Sequence, residues 1–135
     1  MENKSSEEHR EFTRLDYATP LAYKVCKKET ITKLLAGYTS NVSSAGLLCN
    51  VKETVSPEDI LWLSFDRGVL SICEELEKRV FIYQNGIIGN VTRVEAQESG
   101  KYNVGIRFIT RQEKEAGNIY TQSYFLEKDF REKNE

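Results

Sequence analysis

The sequence predicts an all-β domain, a small antiparallel barrel or sandwich, and three observations carry that expectation. Apolar runs of strand length recur at short intervals, with turn-forming residues between them. One run, Tyr102–Ile109, alternates with a period of two: Tyr102, Val104, Ile106 and Phe108 share one face, and Asn103, Gly105 and Arg107 share the other. A chain of 135 residues, 39% of them hydrophobic, suffices for one domain and one modest core.

The elements follow in order. Residues 1–10 are polar and charged and are expected to form a flexible arm. Pro20–Cys26 reads as a first strand, with Leu21, Tyr23 and Val25 alternating against Ala22 and Lys24. A second strand is expected over Thr30–Ser40, broken near Gly37, and a turn over Ser40–Gly46, which is rich in small polar residues. Leu47–Val51 and Ile60–Phe65 read as the third and fourth strands. Arg67–Lys78 fits a short hairpin or one helical turn, Arg79–Tyr83 is β-prone, and Asn85-Gly86 is a turn dipeptide. Ile87–Ala96 and Tyr102–Ile109 form a late pair joined by Gln97–Lys101. From Thr110 the chain is charged and compatible with helix, with no breaker before Gly117.

Composition excludes several function classes. The net charge is −2, whereas nucleic acids and anionic membranes usually select a clear basic excess. No run approaches the roughly 20 apolar residues that cross a bilayer. The polar N-terminus has no signal-peptide h-region, so a cytoplasmic protein is expected. The single histidine, His9, lies in the arm, too poorly held for a Ser-His-Asp or Cys-His arrangement, and no phosphate-binding glycine loop follows a strand. No enzymatic chemistry and no cofactor are expected. Cys26, Cys49 and Cys73 are widely spaced beside apolar runs, which predicts buried free thiols and no metal site.

Two local patterns could hold a ligand. In Arg10-Glu-Phe-Thr-Arg14 two arginines lie where the arm meets the first strand. Guanidinium groups stack on aromatic planes and form paired hydrogen bonds to phosphate oxygens or to guanine O6 and N7. In Asn41-Val-Ser-Ser-Ala-Gly46, Asn41 and Ser43 offer compact donors and acceptors, and Gly46 permits close backbone approach. Taken alone, the first pattern reads as two solvated arginines and the second as an ordinary strand-connecting turn.

In this order the patterns resemble the PilZ family, whose members carry RxxxR followed by D/N-x-S-x-x-G. Asn41 lies 27 positions beyond Arg14. A third segment fits as well: Gly89-Asn-Val-Thr-Arg93, then Tyr102-Asn-Val-Gly105-Ile-Arg-Phe108, is similar to the family's late hairpin. The resemblance spans roughly residues 9–110. It departs from the family at Glu11, an acid inside the arginine motif, and at His9, where arginine is common.

The resemblance implies a six-stranded barrel and an arm that closes on cyclic di-GMP. Residues 1–16 would be the arm, 17–110 the barrel, and 111–135 a charged, partly helical C-terminal segment. Arg10 and Arg14 would stack on guanines and contact phosphates, Asn41 and Ser43 would bond a guanine edge, and Gly46 would shape the turn. The expected role is a receptor that signals through arm ordering to a downstream protein. The alternatives are an adaptor on the same fold that binds no nucleotide, and an OB-like nucleic-acid-binding barrel, against which the negative net charge weighs.

Overall fold

The computed structural model describes residues 14–68, 70 and 72–115. In chain order the elements are β1 (Leu15–Asp16), β2 (Pro20–Val25), β3 (Leu35–Val42), β4 (Gly46–Val51), β5 (Ile60–Phe65), α1 (Cys73–Arg79), β6 (Ile82–Tyr83), β7 (Gly86–Ala96), β8 (Tyr102–Phe108) and α2 (Arg111–Glu115). Antiparallel pairing runs β3–β2–β5–β7–β8–β4, and β4 pairs back onto β3. The ring is therefore closed, which is the six-stranded barrel that the resemblance implied. Closure removes the unpaired edges that an open sheet of this size would expose. β1 and β6 are two-residue additions on β3 and β7.

Alternation along each strand builds the core. Leu21 and Tyr23 of β2, Leu61, Leu63 and Phe65 of β5, and Val104, Ile106 and Phe108 of β8 all point inward and are buried. Each such side chain contributes about 1.5–3 kcal/mol on removal from water. A smaller cluster lies on the outer side of β5 and β7, where Ile60 and Ile88 meet Cys26, Ile31 and Ile109. Trp62 packs against it and donates from Nε1 to the Tyr83 carbonyl at 2.7 Å.

Several elements differ from the expectation. The second strand begins at Leu35 rather than Thr30. Residues after Val25 turn instead: Thr30 N and Ile31 N both donate to the Lys27 carbonyl, and Thr30 Oγ1 donates to the Val25 carbonyl. Ile31 mimics a strand residue in sequence but is buried in the outer cluster. The stretch Arg67–Lys78 yields neither a hairpin nor a single turn but the seven-residue helix α1. Ile72, Leu76 and Val80 recur at helical spacing, and Leu76 and Val80 are fully buried. That use of Val80 reduces the β-prone run Arg79–Tyr83 to Ile82–Tyr83. The turn expected at Asn85-Gly86 is centred one residue earlier, with φ of 52° at Gln84 and 62° at Asn85, while Gly86 already pairs with Tyr83.

The start of the described chain is seated on the barrel. Leu15 and Asp16 pair with Val42 and Asn41. Tyr17 N donates to the Ser40 carbonyl at 3.0 Å, and its hydroxyl donates to the Asp66 carbonyl at 2.6 Å. The buried Thr39 hydroxyl donates to the Tyr17 carbonyl and accepts from Thr19 N at 3.0 Å. The remainder of the expected arm, including Arg10, and the C-terminal segment beyond Glu115 lie outside the described residues.

Candidate ligand-binding cleft

Two β-bulges decide which side chains reach the outside of the barrel on one side. In β3, Thr39 pairs with Cys49, yet Asn41 pairs with Leu48, so Ser40 is the extra residue. In β7, Val91 pairs with Ile106, yet Arg93 pairs with Gly105, so Thr92 is extra. Without these insertions the alternation would turn Asn41 toward the core and put Thr92 opposite Gly105. With them, Asp16, Asn41, Leu48, Gly105 and Arg93 form one lateral row across five neighbouring strands.

An open cleft of about 270 Å³ lies over the Leu48, Gly105 and Arg93 end of this row. Leu48 and Gly105 form part of its floor, an apolar and sterically bare surface. One side is Arg14 with the turn residues Ser43 and Gly46, beside which Arg107 stands on β8, and the other is Thr92 and Arg93 on β7. The lining thus carries three guanidinium groups and no carboxylate, which suits an anionic ligand with flat apolar faces.

The residues expected from sequence converge here in part. Arg14 Nη1 donates to Asn41 Oδ1 at 2.9 Å, which joins the two patterns directly. Asn41 is placed near the end of β3 rather than in the turn that the sequence suggested. Ser43 is buried, and its Oγ accepts from Ala45 N at 3.1 Å and Gly46 N at 3.3 Å, so its hydroxyl also holds the turn. Ser43 N donates to the Gly46 carbonyl at 2.8 Å and closes the same turn. Gly46 is required for close approach: a Cβ there would stand 2.1 Å from the Ile106 carbonyl oxygen on β8. Arg10 lies outside the described residues and takes no place in this geometry.

Arg93 on β7 and Arg107 on β8 belong to the late hairpin and lie outside the two ligand-holding patterns of the sequence. Arg107 donates from Nη1 to both carboxylate oxygens of Glu113 at 3.0 Å. Partial burial works against the Glu113 carboxylate, but the bonds from Arg107 and from Thr110 outweigh it and hold its pKa below the usual range. Among the described residues, no group of His, Cys, Asp and Glu side chains could hold a metal ion, and no helix is long and apolar enough to cross a membrane.

Comparison with known proteins finds a family match and similar solved structures. The family model of the PilZ domain matches residues 8–125. The solved structure of the Bacillus subtilis inhibitor of motility (MotI/DgrA) is similar over 93% of this chain, with a TM-score of 0.53 and 14% identity. The match covers 51% of that protein, so this chain spans about half its length. The PilZ domain with c-di-GMP of YcgR from Escherichia coli aligns over 93% of this chain and 97% of its own, with a TM-score of 0.48 and 11% identity. No curated protein matches the sequence.

Proposed function

The chain belongs to the PilZ domain family, and from that premise we propose that it is a receptor domain that binds cyclic di-GMP in the cleft over Leu48 and Gly105. The observation that carries the reading is the bond from Arg14 Nη1 to Asn41 Oδ1. It aligns the second arginine of RxxxR with the first residue of NxSxxG at a cleft lined by guanidinium groups. Cyclic di-GMP offers what such a cleft can hold. It has two phosphates for charge-assisted bonds, guanine O6 and N7 for paired guanidinium donors, and flat bases for stacking.

In this reading Arg14 exchanges its bond to Asn41 for bonds to ligand, and Asn41 is freed to meet a guanine edge. Arg10 joins from the arm. The turn amides are held by Ser43, so the loop beside the ligand is rigid before binding, which lowers the ordering cost of association. Occupancy is passed to a partner protein through the surface that the arm and ligand then form.

Isothermal calorimetry with cyclic di-GMP tests the reading, with a single-stranded oligonucleotide in parallel. Binding of the dinucleotide is expected between nanomolar and tens of micromolar Kd, about −6 to −12 kcal/mol. Heat from the oligonucleotide alone would favour a nucleic-acid-binding barrel. No heat from either, and no competition at about 100 μM ligand, above the weak end of that range, would favour an adaptor that binds no nucleotide.

A further inference from the structure

The bulge at Thr92 places Arg93 opposite Gly105, on the side of the cleft away from the arm. Thr92 Oγ1 donates to the Gly105 carbonyl at 3.0 Å, which pins the extra residue and fixes the direction of the one that follows. Because residue 105 has no side chain, the Arg93 stem can cross it. Arg93 Nε lies 3.9 Å from the point where a Cβ on Gly105 would stand. The guanidinium therefore begins one strand nearer Asn41 than its own Cα. Three inter-strand steps separate those two Cα positions, about 14 Å at the usual spacing. Arg93 is exposed, and among the described residues it makes no hydrogen bond or ion pair. Arg107, by contrast, is already engaged by Glu113.

Resting on the cyclic di-GMP reading, we propose that Arg93 is a ligand-contacting residue that pairs with a phosphate of the ligand from the β7–β8 wall, opposite the arm arginines. The ligand is then gripped from both sides of the cleft, by Arg14 on one and Arg93 on the other. The floor between them, Leu48 and Gly105, is left for a base plane. Without Arg93 the arm arginines alone would have to supply the phosphate contacts; a strand-borne arginine supplies one from a fixed Cα position, with less ordering cost per bond.

The test is calorimetry with cyclic di-GMP on the wild type, Arg14→Ala, Arg93→Ala and Arg93→Lys, each at two salt concentrations and with a ligand-free melt. Arg93→Ala is expected to weaken binding at least tenfold and to flatten its salt dependence, at an unchanged melting temperature. Arg93→Lys keeps a charge but loses the planar fork, and is expected to fall between Ala and wild type. The proposal is overturned if the wild type binds, Arg14→Ala weakens binding, and Arg93→Ala matches the wild type in affinity and salt slope. It is also overturned if the affinity lost in Arg93→Ala tracks a lowered melting temperature. Failure of the wild type to bind overturns the receptor reading itself, and this proposal with it.

Discussion

Arg107 and Glu113 join the cleft to the helix that follows the barrel. Arg107 stands on β8 beside Gly46 and lines the cleft, and its guanidinium holds both oxygens of the Glu113 carboxylate at 3.0 Å. Glu113 also accepts from Thr110 N at 2.9 Å, while Thr110 Oγ1 accepts from Glu113 N at 3.1 Å. This reciprocal pair is a capping box at the start of α2. One carboxylate thus orients a cleft cation and caps a helix.

The pH dependence of this junction has a definite sign. The Glu113 carboxyl is depressed in the folded chain. Its contribution is therefore present above the unfolded value, about 4.3, and is lost as pH falls through the folded one. Because the pair is partly exposed, the contribution is about 1 kcal/mol or less. Glu113→Gln should lower the melting temperature by a few degrees at pH 7, and the gap to wild type should narrow steadily as the pH falls below the free carboxyl value. A gap that does not narrow on acidification would show that the charge is not what matters.

Arg14→Ala should weaken cyclic di-GMP binding by a factor on the order of ten to several hundred, with the ligand-free melt nearly unchanged. The Arg14–Asn41 bond is exposed, and exposed bonds add little to stability. Asn41→Ala should behave in the same way, since Asn41 faces outward from β3. Calorimetry paired with melts separates the roles. An apo protein that melts early in either variant would make the residue structural.

Gly46→Ala should do the opposite and cost stability first. The added Cβ would meet backbone of β8 at 2.1 Å, which no rotamer change can relieve. Overpacking of this kind costs typically 1–3 kcal/mol. The melting temperature should fall clearly without ligand, and affinity should fall with it. An unchanged melt would show that β4 and β8 can separate here without penalty.

Two of the thiols should be inert. Cys26 and Cys49 are buried, and burial pushes both thiols up to about 12, leaving little thiolate at neutral pH. A thiol-specific disulfide reagent should reach them only in denaturant. Fast labelling of the Cys73→Ser variant in native buffer, compared with the triple-serine control, would contradict this.

Much of the barrel was legible because two-fold alternation is a direct record of an inside and an outside. The apolar run Ile60–Phe65 coincides with β5 at both ends, and the alternating set Tyr102, Val104, Ile106 and Phe108 is the inward set of β8. What escaped was the consequence of the bulges. In β3 the inward residues Thr39 and Val42 are three apart, and in β7 Val91 and Val94 are three apart. An even period cannot produce that step, so the phase slip was a signal for an inserted residue. It was obscured because Ser40 and Thr92 are small polar residues that suit either face. Without the slip, Arg93 falls on the inward face that Val91 occupies, and Arg107 reads as an ordinary solvent-facing charge of a hairpin. Helix α1 escaped for a different reason. Its short charged sequence shows the i, i+4 pattern only when Ile72 and Val80, outside its ends, are counted with Leu76.

The most direct test of the account is a calorimetric titration of the full chain with cyclic di-GMP, repeated on Arg14→Ala under the same conditions. The account predicts saturable binding by the wild type with Kd no weaker than tens of micromolar, and binding at least tenfold weaker by the variant. Equal affinities for the two proteins, or no binding by a wild type that melts cooperatively, would contradict it.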